Sequence, residues 1–391
     1  MATPSPYDVH MSFLSGMDSD PRDEGKSNQA EEIRTTPLFS GNVLGAFGDG
    51  ILPQYGLIGG CVEKYSAPDP SSEQRKAAQR NDCRIFLNVN TPWSAFICGS
   101  QGAGKSHTLS CMLESCILSS QVSEISKPLA AMVFHYDRFT SDISFQVCEA
   151  AFLCSSGTPV RVLVSATNFW RMEKFYKALP GVPADKMPEV VPIRFNERQL
   201  NVSRMMSLMA VNKNDGPMPL YIEVCCASTV DFINPHSIQV ILRILRKIAV
   251  ESKGATGLDY AAFRENLALE NLTGQQLVPL KLRLDLLESF MEESPEPRPA
   301  FPDGKAGRKA AREWDEAAKR TRQEQEVKMA KTWSFEPGSL TIVDLSCPLV
   351  DESAACALFS ICLDLFLENR GDVGRVLALD EAHKVRHLIS P

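Results

Sequence analysis

No stretch of this sequence reaches the run of about 18 apolar residues that a membrane-spanning helix needs. The N-terminus, MATPSPYDVHMSFLSGMDSDPRDEGKSN, has no basic segment followed by an apolar core, so it does not read as a secretory signal. The chain holds 12 cysteines but no C-x-x-C pair, and no Cys/His spacing that suits zinc. Most of them, including Cys98, Cys111, Cys116, Cys356 and Cys362, sit inside apolar runs. Buried, reduced thiols are expected, and with them an intracellular location, cytoplasmic or nuclear, not secretion and not a membrane. Basic charge is also short: 41 Lys and Arg against 48 Asp and Glu leave a net charge of −7. No global field draws the chain to nucleic acid, so any such contact must be local. Internal repeats, zinc fingers and helix-turn-helix signatures are absent too.

What is present is enough apolar material for a large core, 44% of 391 residues. Residues 1–82 read as an N-terminal tail, largely disordered, with a Gly-rich stretch at 43–64 that reads as small strands or a loop packing on the core, and a polar linker at 67–82. From residue 83 the text changes. Apolar, β-branched segments recur at WSAFIC (93–98), AAMVFHY (130–136), VRVLVSA (160–166), LTIVDLS (340–346) and RVLALDE (375–381). They lack clean alternation, as expected of parallel strands covered on both faces. Helical text lies between many of them, which is the βαβ pattern of an α/β fold. Residues 352–370 are apolar nearly all round, as in a buried helix, with Asp351 to cap its start and Gly371 to close its end. A helical, charged insertion is expected at about 198–335, with a further strand at 220–226. Residues 305–331 carry nine Lys/Arg against five Asp/Glu, with acid-before-base pairs such as Glu324 and Lys328. This reads as a solvated helix, with phosphate contact as the sharper alternative.

The chemistry begins at GSQGAGKS, Gly99–Ser106, which matches G-x-x-x-x-G-K-[ST]. Gly99, Gly102 and Gly104 let the backbone curl so that N–H groups, including those of Ser100, Gln101, Ala103 and His107, can face phosphates. The N-terminus of the following helix adds partial positive charge. Lys105 would reach the β/γ-phosphates and the Ser106 hydroxyl would ligate Mg²⁺. The segment Ala95–Cys98 is expected to be the strand that leads in. The second half is VLALDEAH: Asp380 at a strand end would hold Mg²⁺ through water, and Glu381 would orient and polarise the attacking water. His383 could sense phosphate or be structural. A second carboxylate favours hydrolysis over phosphoryl transfer to a bound substrate. ATP and Mg²⁺ are therefore the expected ligands, with Lys105 and Glu381 as the catalytic pair.

The letters DEAH suggest a helicase, but Asp380 follows Ser106 by 274 residues, and Ser165-Ala166-Thr167 precedes the DEAH motif, whereas those helicases have it after. Residues 339–384 read as strand, Asp-Leu-Ser, apolar helix, strand and Asp-Glu-Ala-His. Together with NTPWSAFICGSQGAGKSHTL, this resembles the HerA/FtsK superfamily of P-loop ATPases. The resemblance implies a RecA-like fold with a mostly parallel sheet flanked by helices, Lys105 and Ser106 at the nucleotide and metal, and Asp380 and Glu381 as the acids. It also implies a homo-oligomeric ring, an arginine donated by a neighbour, and DNA as a candidate polymer. Asp344 ends the TIVDL strand, near the site or as a turn former. The fold so implied places one more strand after Asp-Glu, so residues 83–391 are expected to be a core shortened at its C-terminus. A nucleotide switch or scaffold without efficient turnover is the alternative.

Overall fold

A computed structural model describes residues 30–47, 50–61, 82–137, 145–202, 204–205, 236–251, 257–270, 274–292, 299–302, 304–368 and 371–381. The chain divides into two compact units, Met1–Pro128 and Leu129–Pro391. The expected boundary at residue 83 therefore does not match a break in the packing. Part of the segment read as tail is woven into a sheet with the residues that follow it.

In the first unit, β1 (Leu38–Ser40) leads directly into α1 (Gly41–Phe47), followed by β2 (Tyr55–Gly60) and β3 (Arg84–Asn88). Then come α2 (Lys105–Ile117) and the two-residue β4 (Ser123–Glu124). The sheet order is β1-β3-β2-β4, antiparallel throughout. Phe39 stacks on Phe86 with ring centroids 5.4 Å apart, and Tyr55 meets both rings edge-on. Helix α2 buries Met112, Leu113, Cys116 and Ile117. At β2 the helix comes very close: a Cβ on Gly56 would lie 2.4 Å from the Ser115 Cβ. Glycine is required there by space, and that close approach fixes α2 against the sheet.

The expected strand at Trp93–Cys98 does not form. Ala95 and Cys98 are exposed, Phe96 is 86% exposed, and the segment joins no ladder among the described residues. A strand is stabilised by its pairing and by burial of its side chains. This run has neither, so its apolar composition alone does not make it one.

The second unit carries β5 (Ala130–His135), β6 (Val160–Val164), α3 (Phe169–Tyr176) and β7 (Glu189–Pro192). Helices α4 (His236–Glu251), α5 (Tyr260–Ala268), α6 (Gly274–Phe290) and α7 (Lys305–Thr332) follow, then β8 (Leu340–Asp344), α8 (Glu352–Glu368) and β9 (Arg375–Leu379). Five parallel strands form one sheet in the order β7-β6-β8-β5-β9. The α/β class with a parallel sheet flanked by helices is therefore as the sequence indicates. Every residue of β5 and β8 is buried, which is why neither strand shows alternation. β9 stands at an edge with Leu377 38% exposed, and among the described residues it pairs with β5 alone.

Helix α8 packs an almost wholly apolar surface on the sheet, and Phe359 stacks on Phe134 at 4.6 Å. Asp351 caps it as expected, its Oδ1 accepting the Ala354 N–H at 2.7 Å. Gly371 does not take the left-handed conformation of a helix-closing glycine. The guanidinium of Arg204, 2% exposed, reaches both Glu368 and Asp364 on the same helix. The insertion is helical where described, and α7 is 28 residues long and mostly solvent-exposed. Its ion pairs include Lys309–Glu313 at 3.7 Å and Lys331–Glu189 at 3.1 Å. Among the described residues no helix is long and apolar enough to cross a membrane. The strand expected at 220–226 and His383 both lie outside the described residues.

Candidate functional site

The loop Gly99–Ser106 curls around its own backbone. The Ser100 carbonyl accepts the Ala103 N–H at 3.2 Å and the Lys105 Nζ at 3.1 Å. Gly102 and Gly104 have φ of 78° and 85°, in the left-handed region that glycine reaches without penalty. Nothing lies within 4 Å of where a Cβ would stand at either position, so backbone conformation, and not crowding, demands glycine there. At Gly99 the reason differs: a Cβ would approach the Ala103 Cβ to 3.2 Å. α2 begins at Lys105, immediately after the Gly104 turn, and Thr108 ties its first turn down by donating Oγ1 to the Gly104 carbonyl at 3.0 Å. The first turn of any helix leaves backbone N–H groups without intrahelical partners. Here it sits behind an exposed, glycine-shaped loop, which is an arrangement that accepts phosphate oxygens. Gly99 to Gly104 are exposed, and Lys105 and Ser106 are half-buried. His107 is turned along the helix, its Nε2 3.7 Å from the Cys111 Sγ.

In the second unit, the carboxyl ends of the parallel strands gather polar side chains, the place where open α/β sheets offer a crevice. Asp380 follows β9 directly, and its N–H donates to the Phe134 carbonyl at 2.9 Å. Its Oδ2 lies 3.2 Å from the His135 Nδ1 and 3.8 Å from the Cys148 Sγ. Glu381 is half-buried with φ 56°, the one non-glycine residue in the left-handed region among those described. That conformation costs a residue with a Cβ about 1–2 kcal/mol. It turns the chain sharply at the point where the sequence places its second acid.

Asp344, at the end of β8, is fully buried. Its Oδ1 accepts the Ser346 N–H at 2.9 Å and its Oδ2 accepts the Tyr176 hydroxyl at 2.6 Å. The Tyr176 oxygen in turn accepts the Cys148 N–H at 3.1 Å. Burial and the Asp344 charge push the Tyr176 phenol well above its ordinary range, so it stays a donor. Burial, and then the Asp380 charge, push the Cys148 thiol up likewise. Of the two readings of Asp344, the turn former is the one met, since its carboxylate shapes the turn after β8. Ser165 and Thr167 close a local turn with their hydroxyls 2.8 Å apart, as expected of an ordinary strand end.

His135, Cys148 and Tyr176 were not singled out by sequence. His135 was legible as the polar residue ending an apolar strand, but Cys148 and Tyr176 carry no local signal. Removing the Tyr176 hydroxyl strips one bond from a buried carboxylate and one from a buried N–H. Tyr176→Phe is therefore expected to destabilise the second unit by about 2–3 kcal/mol. That would lower its thermal midpoint by roughly 4–10 °C, read by differential scanning calorimetry. A midpoint unchanged within error would show that this network contributes no net stability. Comparison with family models, with curated proteins and with solved structures gave no match to this chain.

Proposed function

We propose that the chain binds ATP with Mg²⁺ at the Gly99–Ser106 loop and hydrolyses it, as a RecA-like P-loop ATPase of the HerA/FtsK type. The observation that carries this reading is the loop itself: left-handed Gly102 and Gly104, open space where their Cβ atoms would stand, and a 13-residue helix starting at Lys105. A loop of this backbone conformation at a helix start is of the kind that surrounds a triphosphate. The Ser106 hydroxyl, in the first turn of α2, supplies a hard oxygen donor, which fits Mg²⁺. When bound, the ion neutralises charge on the phosphates. In this reading Lys105 binds phosphate oxygens and Ser106 offers its hydroxyl to the ion, while Glu381, in the second unit, is the acid that the sequence assigns to orienting water and accepting its proton.

A second reading, ATP binding without efficient turnover, is favoured by one observation: the Asp380 carboxylate is already engaged by His135 and Cys148. Titrating the full chain with a fluorescent ATP analogue, with and without Mg²⁺, tests the shared part, and phosphate release under saturating ATP separates the two. Saturable, Mg²⁺-dependent binding is expected, and its absence would refute both. DNA-stimulated, salt-sensitive turnover would support the DNA-pumping branch. A particle mass several times 43.2 kDa would support a ring.

A further inference from the structure

We propose that His135, Cys148 and Asp380 form a binding site for one thiophilic divalent cation, Zn²⁺ in kind, distinct from magnesium bound with a nucleotide. No sequence motif joins these residues, since Asp380 lies 245 positions from His135 and 232 from Cys148. Sheet topology brings them together. His135 ends β5, Asp380 follows β9 on the neighbouring parallel strand, and Cys148 precedes the 3₁₀ segment Glu149–Ser156.

The ligand atoms match the cation in type and spacing. The His135 nitrogen, the Cys148 sulfur and the Asp380 oxygen all lie within 4.8 Å of one another. Zinc with Zn–N and Zn–O of about 2.0 Å and Zn–S of about 2.3 Å sets a tetrahedral N···O separation of about 3.3 Å and S···O of about 3.5 Å. The structure has 3.2 Å and 3.8 Å. Mg²⁺ is disfavoured at this point, because it wants six oxygens, and a thiol with an imidazole offers it none.

Each ligand is also held by its backbone. The Asp380 N–H donates to Phe134, the His135 carbonyl accepts the Leu345 N–H at 3.1 Å, and the Cys148 N–H donates to Tyr176. His135 and Cys148 are 1% and 0% exposed. Burial disfavours the bare thiolate, and a bound dication reverses that balance, with the thiol proton passing to solvent as the metal enters. Three protein ligands leave a fourth position for water or an incoming donor, the pattern of an open zinc site.

The test uses the full-length chain and does not depend on ATP hydrolysis. Purified protein is loaded with Zn²⁺, passed through gel filtration and assayed for metal, and a parallel sample is loaded with Co²⁺ and examined by absorption. One equivalent of zinc per chain is expected. Co²⁺ should give a near-ultraviolet thiolate-to-metal band with the strong visible bands of a four-coordinate ion. Cys148→Ser should abolish the near-ultraviolet band and weaken Zn²⁺ binding at least about 10-fold. Cys98→Ser, which removes an exposed thiol, should leave the band in place. Should Cys148→Ser fail to fold, His135→Gln carries the same expectation for affinity and for the visible bands. Trace zinc only, or a cobalt spectrum unchanged in both ligand variants, would overturn the proposal. Neither result would bear on nucleotide binding at the loop.

Discussion

Replacing Lys105 with alanine is expected to weaken ATP binding by about 10- to 100-fold while the protein stays folded. The magnitude follows from the contact that is lost. A charge-assisted hydrogen bond to phosphate contributes about 1.5–3 kcal/mol net, and each 1.4 kcal/mol is tenfold in affinity. Lys105 is suited to that contact because its ammonium already rests over the loop, 3.1 Å from the Ser100 carbonyl. A phosphate entering the loop meets a charge in place, so little side-chain entropy is lost on binding. Fold stability should change by less than about 0.5 kcal/mol, since alanine is a good helix former and Lys105 stands in the first turn of α2. Fluorescent-nucleotide titration reads the first quantity and thermal melting the second. Unchanged affinity with an unchanged melt would rule out the loop as a phosphate cradle.

The second large effect concerns Glu381. Glu381→Gln keeps the size, the Cβ and the left-handed backbone position, and removes only the proton-accepting charge. Phosphate release at saturating ATP is expected to fall by about 10²- to 10⁴-fold, the usual contribution of a positioned general base. ATP affinity should stay within about twofold, because a general base acts on the attacking water and not on the bound phosphates. Lys105→Ala and Glu381→Gln thus separate binding from turnover. A Glu381→Gln variant with wild-type turnover would move water activation to another residue, and a wild type that binds without turnover would favour the switch reading.

Much of the parallel sheet was legible, and the reason is physical. Strands covered on both faces must be apolar without alternation, and β5, β6, β8 and β9 are written that way. The same rule misread Trp93–Cys98, because an apolar run says nothing about whether a partner edge exists. β7, at four residues, is too short to announce itself, β1 lies in the segment read as tail, and β2 lies in the Gly-rich stretch that composition alone leaves open between small strands and a loop. Within the site, the loop and the Asp-Glu pair were readable because their chemistry is local in sequence. The clusters of Tyr176 with Asp344 and of His135 with Cys148 and Asp380 were not, since Tyr176 and Asp344 are 168 residues apart, Asp380 lies 245 from His135 and 232 from Cys148, and only the strand order unites them.

The position of β5 also bears on how the second unit is built. β5 is an uncharged run of six buried residues, Ala130–His135, and both of its neighbours come much later in the chain, at Leu340–Asp344 and Arg375–Leu379. As the chain leaves the ribosome, β6 and β7 can pair with each other early, whereas β5 must wait with both edges bare for some 200 residues. Contacts this remote in sequence form slowly, and bare apolar strands waiting for partners tend to find other chains. The second unit thus depends on protection during synthesis more than its finished core would suggest.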